Sequence, residues 1–65
     1  GGPLEGYADQ LFALRQTAME TKDFSKVDAM KSALLDAGLK VHMSKTKVEL
    51  EPGPDFDPTK LEGLE

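Results

Sequence analysis

The sequence predicts a small α+β domain: a two-helix antiparallel hairpin, then a small two-stranded antiparallel β-hairpin and a Pro-rich, largely irregular tail. Three observations lead there. Apolar residues recur at helical spacing over residues 7–21 and again over 27–37. The period then switches to alternation across "LKVHMSKTKVEL". After it, "EPGPDFDP" cannot continue a strand, because proline fixes φ and removes a ladder donor. Sixty-five residues make one domain at most, and a chain that short has only a marginal core.

Residues 1–6, "GGPLEG", read as a linker or an expression remnant, and the final "LE" as a cloning scar. The first helix is expected from Tyr7 to Thr21. Tyr7, Leu11, Leu14 and Ala18 form its apolar stripe, and Ala8, Phe12 and Met19 widen it. Asp9, Gln10, Gln16, Thr17 and Glu20 fill the opposite arc, whereas Arg15 falls inside the stripe, between Leu11 and Met19. "TKDF" breaks the pattern. Either Asp23 or Ser25 can cap the second helix, and Ser25 with Asp28 three residues on has the form of a capping box. Val27, Met30, Ala33, Leu34 and Ala37 make a narrow core stripe. Gly38 is placed to end the helix as a left-handed cap, which sets Leu39 against Leu34. So brief a connection between the helices predicts an antiparallel pair.

Folding the alternating segment about Lys45-Thr46 pairs Val41 with Leu50 and Met43 with Val48 on one face, leaving His42, Ser44, Lys47 and Glu49 outside. The folded domain would then span residues 7–50, and residues 51–65 would be an acidic tail with a short helix at 58–62, started by Asp57-Pro58. Phe56, Leu61 and Leu64 are that tail's candidate anchors, with disorder as the alternative. The tail holds five acids against one lysine, so it carries the whole net charge of −4 and residues 1–50 are neutral. That balance argues against a free-standing nucleic-acid binder.

There is no cysteine, which fits a cytoplasmic origin, and the single His42 cannot close a metal site with scattered carboxylates. No apolar run is long enough for a bilayer, so no membrane partner is expected, and a monomer is. No catalytic constellation is present: no thiol nucleophile, no spaced Ser-His-Asp set, no glycine-rich phosphate loop. The chain reads as a non-catalytic fragment of something larger.

What stands out is the hinge, where Phe24 and Asp28 lie one helical turn apart. Phe24 is either a plug that fixes the interhelical angle or a stacking face for a nucleobase. Asp28 is either a cap partner or an acceptor for a base edge such as guanine N1 and N2. Arg15 reads first as a snorkelling side chain or an ion-pair partner of Asp23 or Asp28, and second as a phosphate contact. Lys40, Lys45 and Lys47 read as a solvated hairpin edge, or as a small contact for RNA backbone. Leu35 falls outside the core stripe, near Lys31, which suggests a missing partner.

The order "R…KDFSKVDAMKSALLDAGLKV" resembles the C-terminal domain of bacterial cysteinyl-tRNA synthetases. In that family a helix carrying arginine leads into a "KDF-x-x-x-D" turn, a second helix to Leu-x-x-x-Gly, and an apolar strand. Arg15, Lys22, Asp23, Phe24, Asp28, Leu34 and Gly38 fall on the pattern, with Lys31 where arginine is usual. The resemblance implies a parent that joins cysteine to its tRNA with ATP and magnesium, on a zinc-containing catalytic domain beyond this segment. It further implies that the domain packs beyond a helical bundle and meets the GCA anticodon of tRNA(Cys), with Phe24, Asp28 and Lys31 at the positions that approach the bases. Met19 stands where a second arginine is common, Met43 where an acid is typical, and Lys47-Val48-Glu49-Leu50 where the family has G-T-x-W. The helical half of the site therefore carries over and the hairpin half departs. A helical-hairpin protein-interaction module and a purely structural cap are the competing readings.

Overall fold

The computed structural model describes residues 3–64, in the order α1 (Pro3–Thr21), α2 (Ser25–Asp36), β1 (Leu39–Met43), β2 (Val48–Pro52) and a 3-10 helix (Pro58–Leu64). Residues 1 and 2 of the expected linker and Glu65 of the expected scar lie outside the described residues. The α+β class holds, with the two helices packed together, the sheet lying on both and the 3-10 helix against α2.

α1 begins four residues before the expected start, at Pro3. Proline suits a first helical position because its missing N–H has no partner there anyway, and Glu5 in the first turn complements the helix dipole. Leu11 and Ala18 are buried, with Leu4, Tyr7, Ala8, Phe12 and Leu14 packed around them. Met19, expected to widen the stripe, is instead exposed. The helix stops at Lys22, whose φ of 65° is left-handed and whose N–H reaches Ala18 O at 2.7 Å.

The expected capping box at Ser25 does not form. Ser25 is already the first helical residue, one position too late to cap, and the formal cap Phe24 has no side-chain acceptor. Asp23, the other candidate, takes the role: its Oδ1 accepts Ser25 N–H at 3.0 Å. α2 buries Val27, Met30 and Leu34, while Ala33 is half-buried and Ala37 fully buried just beyond the helix. Gly38 ends it at φ +93°, with its N–H on Leu35 O and that of Ala37 on Ala33 O.

The strands pair in the expected register, Val41 opposite Leu50 and Met43 opposite Val48. The glycine-free turn closes with no residue at positive φ, and Ser44 braces it. Its hydroxyl accepts the N–H groups of Thr46 and Lys47 and donates to Lys47 O, while Ser44 N–H also bonds Lys47 O at 2.9 Å.

The tail is no loose appendage. After Pro52 the chain doubles back over the end of α2: Gly53 N–H bonds Gly38 O and Asp57 N–H bonds Ala37 O, each at 2.8 Å. The backbones approach so closely that a Cβ on Gly38 would sit 2.6 Å from Phe56 Cα, and one on Gly53 would sit 2.8 Å from Gly38 O. Lys60 Nζ reaches Asp36 O at 3.5 Å. These bonds satisfy carbonyls that a helix end otherwise leaves open. The 3-10 helix runs to Leu64, beyond the expected 58–62, and buries Leu61 in the core; Tyr7 Oη donates to Leu61 O at 3.3 Å.

Candidate nucleic-acid interface on the second helix

The hinge is built by short polar bonds. Thr21 Oγ1 accepts Asp23 N–H at 3.2 Å, Asp23 Oδ1 accepts Ser25 N–H, and Phe24 O takes Asp28 N–H at 2.9 Å to open α2. The Ser25 N–H bonded to Asp23, with smaller help from Lys26, holds the Asp23 carboxyl below the ordinary aspartate range. Asp23 is thus committed to the turn as an anion, which leaves Asp28 free for another role.

Phe24 is 43% exposed, and Asp28 and Lys31 are exposed as well. Among the described residues the Asp28 carboxylate has no hydrogen bond or ion pair. Residues 24, 28, 31 and 35 recur at helical spacing, so Phe24, Asp28, Lys31 and the half-exposed Leu35 share one outward stripe. At ~1.5 Å rise per residue the stripe is about 16 Å long. It offers an aromatic face, an acceptor and a cation in sequence. The hydroxyl and carboxylate chemistry of a catalytic site is not gathered there.

The other candidates lie apart from this stripe. Arg15 is half-buried on α1 and, among the described residues, makes no ion pair with Asp23 or Asp28, so the expected pairing is absent. Lys40, Lys45 and Lys47 are exposed on the hairpin. Lys47 is paired with Glu49 at 2.9 Å, and this bond lowers the glutamate's pKa. Lys40 faces Glu51 across the strands, and His42 lies 3.7 Å from the same glutamate. Glu49 and Glu51 thus offset much of the hairpin's positive charge, which weakens it as a phosphate surface.

One feature escaped the sequence. Leu14, Thr17 and Ala18 of α1 line an open groove with Thr21, Asp23 and Lys26 at the hinge. Its only sequence signal is that Thr17 and Thr21 recur one turn apart beside the apolar stripe.

Chains similar to this one carry a single name. Residues of this chain are 59% identical over 61 positions to a cysteine–tRNA ligase of a Ruegeria species, covering 94% of this chain. They are 59% identical over 58 positions to that of a Jannaschia species and 54% over 61 to that of Paracoccus denitrificans, covering 89% and 94% of the chain. The chain is a segment of the cysteine–tRNA ligase family. It spans 13% of the length of each of these three relatives. No family model and no solved structure matches it. The resemblance read from "KDF-x-x-x-D" and Leu34-x-x-x-Gly38 therefore stands at the level of the family.

Among the described residues no helix is long and apolar enough to cross a membrane, and no group of three or more His, Cys, Asp or Glu side chains could hold a metal ion.

Proposed function

We propose that this segment is the C-terminal anticodon-recognition domain of a cytoplasmic cysteine–tRNA ligase. Phe24 stacks on a base of the tRNA(Cys) anticodon, Asp28 accepts hydrogen bonds from a guanine edge, and Lys31 contacts an acceptor atom or phosphate beside them. The observation behind this reading is the outward stripe: an exposed ring and an unpaired carboxylate one turn apart on α2, in a chain similar to cysteine–tRNA ligases. The parent would join cysteine to tRNA at the expense of ATP. Its zinc, magnesium and nucleotide sites would lie outside this segment, which has no cysteine and no clustered metal ligands among its described residues.

The charge supports a role in selection more than in affinity. Phosphate contacts dominate nucleic-acid affinity, while base contacts choose sequence. Glu49 pairs with Lys47 and Glu51 stands opposite Lys40, so Lys40, Lys45, Lys47 and Arg15 are minor backbone contacts and the rest of the enzyme holds the tRNA.

The test is aminoacylation by the full-length enzyme. Phe24→Ala lowers kcat/KM for tRNA bearing the GCA anticodon by roughly 5- to 150-fold, the equivalent of ~1–3 kcal/mol for one base stack. Asp28→Asn and Lys31→Ala lower it less. An unchanged kcat/KM in all three variants would overturn the reading.

A further inference from the structure

The groove at the hinge lies on the other flank of α2 from the outward stripe. Two residues turn a helix by about 200°, so Lys26 falls roughly opposite Phe24 and Asp28. The groove encloses about 400 Å³, within the range of about 300–1,000 Å³ usual for small-ligand sites. Leu14 and Ala18 give it an apolar floor, Thr17 and Thr21 add hydroxyls, and Asp23 and Lys26 are its charged lining residues. Lys26 is near enough to favour the Asp23 anion. Among the described residues, however, neither its ammonium nor the Thr17 hydroxyl has a hydrogen bond or ion pair. A bare phosphate does not suit this lining, because it cannot donate to the oxygens there and Asp23 repels it. A ribose suits it better: its 2′-hydroxyl both donates and accepts, and its carbon face can lie on the apolar floor.

We infer that the groove takes a ribose of the anticodon loop, that of the nucleotide next to the one stacked on Phe24, with the attached phosphate on Lys26. Adjacency selects the nucleotide. Asp23 and Phe24 are consecutive, so groove and stacking face meet at the hinge, and a splayed single strand crossing it sets neighbouring nucleotides on the two flanks. The principal backbone contact of the domain is then at the hinge and not on the hairpin, where Lys47 and Lys40 already face glutamates. The inference rests on the proposed anticodon reading. It concerns sugar and phosphate, however, so its losses do not depend on base identity.

The test is the Kd of the full-length enzyme for tRNA(Cys), measured from about 50 to about 200 mM salt. It uses charge-matched pairs at exposed positions. Thr17→Glu places an acid in the groove, whereas Gln16→Glu places the same charge outside it on α1. The first raises Kd at least ~fivefold and the second less than ~twofold. Lys26→Gln makes the slope of log affinity against log salt shallower by about 0.7, and Lys40→Gln leaves it unchanged. Thr17→Val weakens binding of the native tRNA and has no effect on tRNA with a 2′-deoxy anticodon loop. Equal effects within either pair would overturn the inference, as would losses confined to the native anticodon or a Thr17→Val effect equal on both tRNAs. Should Phe24→Ala leave kcat/KM unchanged while the groove effects persist, the stacking role fails and the groove contact stands.

Discussion

The two ends of α2 are held in opposite ways. At the hinge the chain is fixed by local polar bonds among Thr21, Asp23 and Ser25, and Phe24 and Asp28 are left outside. At the other end the fixing is non-local, made by backbone from residues 53–57 closing on Ala37 and Gly38. The first arrangement displays side chains and the second hides main chain. A helix anchored by its far end can present its near end in a defined orientation without burying the residues presented. In small domains, which cannot afford a large core, that division separates stability from recognition.

Mutations at the two ends should therefore behave differently, and four expectations sharpen the contrast. The largest effect is expected at the clasp. Gly38→Ala places a Cβ 2.6 Å from Phe56 Cα at a φ of +93°, and both the clash and the strain destabilise. A loss of about 2–4 kcal/mol in urea unfolding is expected; a loss under 0.5 kcal/mol would mean that the tail is not seated as described. Next, Leu61→Ala removes a side chain only 4% exposed and costs about 2–3 kcal/mol in the same titration. Third, Tyr7→Phe deletes the bond to Leu61 O, and a fall of ~0.5–1.5 kcal/mol is anticipated. At the hinge, by contrast, Phe24→Ala should alter the melting temperature least, within about 0.5 kcal/mol as expected of a surface position, while it lowers aminoacylation.

Acid should weaken the fold at both ends. Asp23 and Asp57 are both lowered in pKa, Asp23 chiefly by the Ser25 N–H and Asp57 by the Thr59 hydroxyl and N–H. Glu49 is lowered by Lys47. A carboxyl whose folded pKa lies below its unfolded value stabilises the fold above the unfolded pKa and loses that contribution as pH falls through the folded one. Thermal melting followed from about pH 6 to about pH 3 should thus show a declining midpoint, across the ordinary carboxylate range near ~4 and below. A midpoint that rises on acidification would contradict these assignments.

What the sequence revealed was whatever has a short period. The stripe Val27–Met30–Leu34 with Gly38 after it follows from helical spacing, and the pairing of Val41 with Leu50 from strand alternation. What it concealed was contact between distant backbones. The clasp of Gly53 on Gly38 has no periodicity, and Pro-Gly-Pro reads as irregular until its partner is seen. Pro3 suits a first helical position, but the linker-like composition of "GGPLEG" hides that signal. Met19 misled because a helical wheel fixes its angle but not whether a second element covers that angle. At the candidate site, spacing placed Phe24, Asp28 and Lys31 on one face. Spacing could not say that Asp23 would take the capping role and leave the Asp28 carboxylate unpaired.

The central claim, that α2 reads a base through its exposed ring, is tested most directly by a double-mutant cycle between Phe24→Ala and a substituted anticodon base. In the full-length enzyme, kcat/KM is measured for both proteins on both tRNAs. Coupling is predicted: the variant loses at least fivefold on the native anticodon and no more than twofold on the tRNA whose contacted base is already changed. Equal losses on every anticodon, accompanied by a fall in the melting temperature, would contradict the claim and make Phe24 a structural residue of the hinge.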